Sequence, residues 1–127
     1  MKDIESKDDI EILVNTFYES ARKNETIGYI FNDVANVNWE EHLPRMYNFW
    51  ESILLGGHSF EGNPMEKHIS LSKKTEMNKI HFDAWVEIWC NTVDFLFQGV
   101  KANEAKLRGR NIAALMLYKI QAAGSAW

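Results

Sequence analysis

The 127-residue sequence has a single cysteine, two prolines and no surplus of positive charge. Cys90 has no partner for an internal disulfide, and one cysteine argues against a cysteine-based zinc site. Eighteen acidic against fourteen basic residues give a net charge of −4, which argues against a nucleic-acid partner. No apolar run approaches the ~20 residues of a membrane-spanning helix, and residues 1–9 contain no apolar secretory segment. These absences predict a cytoplasmic protein with no membrane and no nucleic-acid partner.

The composition is typical of one globular domain spanning residues 1–127. Hydrophobic residues make up 46% of the chain and charged residues 25%, which excludes a disordered chain. The aromatic content is high, with five Trp, four Tyr and seven Phe. A chain of this size buries only about two-thirds of the surface that its unfolded form exposes. We therefore expect some of these rings to line a cavity or a cofactor.

Apolar residues recur at intervals of three and four in four segments, and this spacing predicts an all-α protein. An acidic cap at Asp8 or Asp9 precedes the first segment, and Asn38 with Glu41 three residues later precedes the second. No segment shows the alternating pattern of a strand. The predicted helices begin at residues 8–9, 38–39, 79 and 103–104, and they end before residues 24, 56, 99 and 124.

Two features interrupt the helical pattern. Pro44 lies inside the second segment, where it lacks an N–H and its ring crowds the carbonyl four residues back. Either a short turn covers residues 39–43 and the helix begins near Pro44, or the helix kinks there. Residues 56–78, rich in Gly, Ser and Lys, are predicted to form a long irregular connection. A connection of this length in a compact domain suggests that something other than protein fills the space beside it.

The histidines are the first candidates for cofactor chemistry. None has a Glu three residues before it, which excludes the di-iron bundle motif, and the HExxH zinc motif is absent. Taken singly, each histidine has an ordinary structural interpretation, and so do Tyr18 and Trp89. The four are His42, His58, His68 and His81.

Several chemistry-bearing residues follow one another in a definite order between residues 8 and 120. They are Phe17-Tyr18, Trp39 to His42, Phe49-Trp50, Lys67-His68, and Trp85 with Glu87 to Trp89. This ordered set resembles the truncated haemoglobins, and specifically group III. The Gly-Gly pairs that mark the other truncated groups near the first helix are missing here, which also favours group III. The resemblance implies a two-over-two helical sandwich around haem b.

The resemblance also implies roles for individual residues. His68 would be the proximal ligand to the haem iron, and Tyr18, His42 and Trp89 would be distal hydrogen-bond donors to a gas. Whether Pro44 leaves His42 in the pocket or swings it outward is open at the level of the sequence. Further residues would line the haem slot or reach its propionates. The slot residues are Phe31, Met46, Phe49, Trp50, Phe82 and Trp89, and the propionate residues are Arg45 and Lys67.

The function that the resemblance implies is binding of dioxygen or another diatomic gas at the iron, as in oxygen transport. O–H and N–H donors in a dry pocket would favour tight binding and slow release, and would suit chemistry on nitric oxide, nitrite or peroxide. One alternative is a haem-free all-α sensor or protein-interaction domain with a globin-like fold. Another is an enzyme, an NO dioxygenase or a peroxidase. It would need an external reductase, because no GxGxxG fingerprint is present.

Overall fold

The computed structural model describes residues 1–34, 37–56 and 77–125 of the chain. Within these ranges there is no strand, which confirms the predicted all-α class. None of the helices described is both long and apolar enough to cross a membrane. The elements are α1 (Lys7–Lys23), a π-helical turn (Ile30–Val34), α2 (Trp39–Leu54), α3 (Lys79–Leu96) and α4 (Val100–Ser125).

The first helix begins slightly earlier than the sequence pattern predicts. Ser6 is its N-cap: the Ser6 hydroxyl accepts a hydrogen bond from the Asp9 backbone N–H, and the Asp9 carboxylate accepts one from the Ser6 N–H. This reciprocal pair is a capping box. Asp9 also accepts a salt bridge from the Lys2 ammonium at 2.7 Å. The predicted cap at Asp8 or Asp9 is therefore wrong by two or three residues, and Asp9 instead closes the box from the third helical position.

The second helix is continuous from Trp39 to Leu54, with Pro44 inside it. The alternative in which the helix begins near Pro44 is therefore wrong. Asn38 is the N-cap residue, as predicted, but its side chain makes no capping hydrogen bond. Its backbone carbonyl accepts from the His42 N–H at 2.9 Å and so begins the helical ladder.

The fourth helix begins at Val100, three or four residues before the predicted start, because its cap comes from the other end of the chain. The Asp3 carboxylate accepts from the backbone N–H groups of Lys101 and Ala102 at 2.9 and 2.8 Å. Gly99 allows this approach: it has φ +141°, and a Cβ there would lie 2.6 Å from Asp3 Cγ. No local signal near residue 100 reveals a cap supplied by residue 3.

The helices pack around one large apolar cluster. α3 packs along α4, α1 packs against both α2 and α3, and α2 touches α4 over a smaller area. The N-terminal segment closes one end of this cluster with the buried side chain of Ile4. A smaller cluster joins the start of α3 to the later turns of α4. Its buried members are Phe82, Ala113, Met116 and Ile120.

Candidate functional site

α1 and α2 bring two of the predicted distal residues into contact. The Tyr18 hydroxyl and His42 Nε2 lie 2.8 Å apart, which is a hydrogen bond. The two rings meet edge to face, with centroids 5.2 Å apart. Both side chains are half-buried at the margin of the main cluster. Pro44 therefore leaves His42 directed at Tyr18.

The Tyr18–His42 pair can aim one O–H at a third group. Burial raises the pKa of the Tyr18 phenol above its ordinary value, so the hydroxyl keeps its proton. The direction of the hydrogen bond follows from the tautomer of His42. When His42 Nε2 carries the hydrogen, it donates to the Tyr18 oxygen, and the Tyr18 O–H is then available to donate elsewhere.

Aromatic rings enclose this pair on the α1–α2 side. Phe31, in the π-helical turn, and Trp39, at the start of α2, both meet the Tyr18 ring edge to face, at 5.8 and 5.2 Å. The Arg22 guanidinium lies 4.6 Å from the centre of the Trp39 ring, a cation–π contact. The polar tips of Tyr18 and His42 thus lie in apolar surroundings, where a hydrogen bond is stronger than in water.

The residues predicted to line a haem slot fall into two groups. Phe31, Met46 and Phe49 are half-buried around the main cluster, and each keeps part of its apolar surface uncovered. Trp50 and Phe82 are buried, with 4% and 7% of their surface exposed, and so form layers behind the half-buried residues. Arg45, predicted to reach a propionate, is exposed on α2.

Trp89 lies in the core rather than at a cavity. Its ring stacks on that of Trp50, with centroids 4.2 Å apart, and it is 1% exposed. Its indole N–H donates to the backbone carbonyl of Ala105 in α4 at 2.9 Å. Because an indole has only one N–H, the donor predicted to face a gas is used inside the protein. The geometry therefore differs from the predicted distal role of Trp89.

Trp85, one helical turn before Trp89, has the features that Trp89 lacks. It is half-buried, and its ring lies 5.4 Å from that of Phe17, the neighbour of Tyr18. Within the described ranges, no hydrogen-bond partner is found for its N–H. The sequence pattern includes Trp85 but assigns it no role. The four-residue spacing puts both tryptophans on one helix face, so only what packs opposite them distinguishes the two.

Three candidate residues lie outside the described residues: His58, His68 and Lys67. The proximal role of His68 and the propionate role of Lys67 therefore stay predictions. Among the described residues there is no group of three or more His, Cys, Asp or Glu side chains that could hold a metal ion. His81 serves the fold, because its Nδ1 accepts from the Asn78 backbone N–H at 3.0 Å.

Comparison with known proteins agrees with this arrangement. No known protein-family model matches the chain. The chain is 29% identical over 120 residues to the group 3 truncated hemoglobin ctb of Campylobacter jejuni, an alignment that covers 90% of this chain and 92% of that protein. The crystal structure of a group III truncated hemoglobin from Campylobacter jejuni matches with a TM-score of 0.80 and 26% identity, over 94% of this chain and 95% of that one.

Both similarities extend over nearly the whole of each chain, so they concern the fold as a unit and not one shared motif. The match in structure confirms the predicted two-over-two arrangement of helices. The match in sequence covers 90% of the chain and agrees with the resemblance carried by the ordered set of residues. The chain is therefore similar to the group III truncated haemoglobins in both sequence and fold.

Proposed function

We propose that this protein binds haem b and takes up dioxygen or another diatomic gas beside the Tyr18–His42 pair. The observation that carries the proposal is the 2.8 Å contact between the Tyr18 hydroxyl and His42 Nε2. These residues lie 24 positions apart in the sequence, on different helices. The similarity to the Campylobacter jejuni truncated hemoglobin supports the same class of cofactor and ligand.

The described residues fit a flat apolar cofactor. Phe31, Met46 and Phe49 are half-buried, so they can cover an apolar ligand without repacking the core. Each Å² of apolar surface that such a ligand removes from water is worth about 25 cal/mol. Arg45, exposed and adjacent to Met46, is a suitable partner for an anionic propionate.

Haem, when bound, would supply an iron that a histidine of this chain holds and that can take up a gas. We assign the ligand histidine to His68. Two of the other three histidines have partners in the fold, since His42 contacts Tyr18 and His81 contacts both Asn78 and Tyr29. That supports a histidine of the 57–76 segment, where His58 is the competing candidate.

Tyr18 is the donor that we assign to the gas. Its raised pKa keeps the proton on the phenol oxygen. His42 Nε2–H, donating to that oxygen, turns the remaining O–H outward from the pair. A hydrogen bond to a charged partner contributes about 1.5–3 kcal/mol, which corresponds to roughly 10- to 100-fold in a dissociation constant. Slow release of the gas follows, and this property suits retention or chemistry better than transport.

We assign the second donor to Trp85 instead of Trp89. Trp85 is half-buried with an N–H for which no partner is found within the described ranges, whereas the N–H of Trp89 donates to Ala105. Both residues lie on α3, so the exchange keeps a tryptophan donor on the same helix. It also leaves the buried hydrogen bond of Trp89 intact.

Reconstitution with hemin tests the cofactor assignment. The purified protein should bind one equivalent and show a Soret band that sharpens and shifts with carbon monoxide. His68→Gly should lose normal iron ligation, whereas the matched control His58→Gly should keep it. Normal ligation in His68→Gly would contradict the proximal assignment. Failure of the unaltered protein to bind hemin would favour the haem-free sensor or interaction domain.

The rate of dioxygen dissociation, measured by stopped-flow spectroscopy, tests the distal assignment. Tyr18→Phe should release dioxygen about 10-fold faster or more, because it loses one charge-assisted hydrogen bond. Tyr29→Phe is the matched control, since Tyr29 is exposed and its hydroxyl contacts His81. Equal rates in Tyr18→Phe and the unaltered protein would contradict the role of Tyr18.

A further inference from the structure

The first turn of α2 lacks the kind of side-chain cap that holds the starts of α1, α3 and α4. α1 and α3 each begin with a capping box, and Asp3 caps α4. At α2, the side chain of Asn38 makes no capping hydrogen bond. Pro44 has no N–H, so the carbonyl of Glu40 loses its helical donor. The turn that carries His42 is therefore held to the rest of its helix by fewer hydrogen bonds than an ordinary first turn.

The side chain of Trp39 holds the first turn of α2 by ring packing instead of by a cap. The ring is half-buried and meets the His42 ring edge to face, with centroids 5.7 Å apart and an interplanar angle of 82°. It meets the Tyr18 ring in the same way, at 5.2 Å and 65°. Trp39 thus contacts both members of the hydrogen-bonded pair. Its large, stiff ring restricts where the His42 imidazole can lie.

Arg22 anchors Trp39 to α1. Its guanidinium lies 4.6 Å from the centre of the Trp39 ring, and Arg22 belongs to the last turn of α1. The contact therefore ties the weakly capped start of α2 to the end of a helix that is capped and packed against the core. Arg22 is exposed, so it can be replaced without creating a cavity.

We propose that Trp39, anchored by Arg22, is a positioning residue that holds His42 against Tyr18 and thereby limits the entry of a gas into the distal pocket. This inference rests on the proposed function. Without the Trp39 ring, His42 would lose the edge-to-face packing that this ring provides. The first turn of α2 would then sample other positions, and the imidazole would leave the pocket entrance more often.

The test compares variants in the haem-reconstituted protein. Trp39→Leu should raise the association rate of carbon monoxide after flash photolysis by about 10-fold, since it removes both aromatic contacts with the Tyr18–His42 pair. Arg22→Gln should raise it by about two- to fivefold, the size of an exposed cation–π contact. Two matched controls should stay near the unaltered rate: Trp39→Phe, which keeps a ring, and Lys23→Gln, which removes an adjacent exposed charge.

A second readout does not require haem. Nitrogen-15 NMR of the His42 ring should show a shift or exchange broadening in Trp39→Leu and in Arg22→Gln, but not in Lys23→Gln. If Trp39→Leu fails to fold, Arg22→Gln decides the question because it changes only a surface side chain. Unchanged association rates and an unchanged His42 spectrum would overturn the inference. If hemin does not bind at all, the proposed function fails, and the NMR comparison still tests the positioning role.

Discussion

The α3–α4 side of the molecule and the α1–α2 edge use aromatic residues in opposite ways. On the α3–α4 side, Trp89 is 1% exposed and its N–H donates to the backbone carbonyl of Ala105. At the α1–α2 edge, Tyr18 is half-buried and its hydroxyl contacts another side chain, that of His42. A backbone carbonyl inside a helix cannot turn away, whereas two side chains at an edge can rearrange around a third group. The Trp89 N–H is thus fixed within the core, whereas the Tyr18 hydroxyl can turn toward a third group.

The largest effect on stability should come from Trp89. Trp89→Ala should lower the free energy of unfolding by about 3–5 kcal/mol, through lost apolar contacts and a cavity. Tyr18→Phe should lower it by only about 1 kcal/mol or less, since it leaves the ring in place. Urea denaturation followed by far-UV circular dichroism measures both values. Equal costs for the two substitutions would remove the contrast between core and edge.

Gly109→Ala should cause the next largest loss in the free energy of unfolding. At an ordinary helix position, Gly→Ala stabilises by about 1 kcal/mol. A Cβ on Gly109, however, would lie 2.5 Å from Trp89 Cδ1, so the indole packs directly on the α4 backbone. Gly109→Ala should therefore destabilise by about 1–3 kcal/mol. The same substitution in a Trp89→Leu background should cost much less, and a full cost there would show that Trp89 is not the obstacle.

The helix starts offer a second comparison, because the Asp3 carboxylate caps α4 whereas the side chain of Asn38 makes no capping hydrogen bond to α2. Asp3→Ala should cost about 1 kcal/mol at neutral pH, measured by the same urea denaturation. Glu87→Gln, an exposed carboxylate on α3, is the control and should be near neutral. An Asp3→Ala variant as stable as the control would show that the cap is dispensable.

The same carboxylate predicts a dependence on pH. Burial alone would raise the pKa of Asp3, but hydrogen bonds from the backbone N–H groups of Lys101, Ile4 and Ala102 outweigh it and lower the pKa. The pKa of Asp9 is also lowered, chiefly by Lys2 against burial. The stability from these groups is complete above the ordinary carboxyl pKa of ~3.9 and is lost as the pH falls through the lowered values. The free energy of unfolding should fall steeply in acid, and less steeply in Asp3→Ala.

The smallest effect on stability should come from Trp85→Phe. Trp85 is half-buried, and no partner for its N–H is found within the described ranges, so the loss should be about 1 kcal/mol or less. Its dioxygen dissociation rate should nevertheless rise, since we assign this N–H to the gas. Trp89→Phe should give the reverse pattern, with lower stability and a nearly unchanged rate. A faster rate in Trp89→Phe alone would return the donor role to Trp89.

Much of the fold follows from local pattern. The three- and four-residue spacing predicts each of the four α-helices in the described part of the chain, and the ends of α1 and α2 lie within one residue of their predicted ends. The starts of α2 and α3 agree with their predicted positions, whereas those of α1 and α4 do not. Asp8 and Asp9 are equally good caps on local grounds, so the pattern does not single out Ser6. Nothing near residue 100 indicates the cap of α4, because that cap lies 98 residues away in the sequence.

The candidate site likewise has residues that the sequence predicts and contacts that only the fold reveals. Tyr18 and His42 were named from the sequence, and the structure brings them to 2.8 Å. The contacts of Trp39 with this pair could not be predicted, since they depend on how α1 and α2 cross. Arg22 shows the same limit: in the sequence it is one of several cations at the end of a helix, and only the fold places it over an indole.

Composition and spacing along the chain are enough to predict an all-α protein that is rich in aromatic rings and similar to the group III truncated haemoglobins. Which of those rings belong to the core depends on how the helices pack. Trp85 and Trp89 are the same residue type, four positions apart on one apolar helix face, and no local signal separates them. The indole of Trp89 donates to the carbonyl of Ala105 and fits into the space that the missing Cβ of Gly109 leaves, so it is buried. Trp85 has no such partner on α4, so its indole N–H stays available. Hydrogen bonding across a helix interface depends on the neighbouring residues and not on the residue type alone.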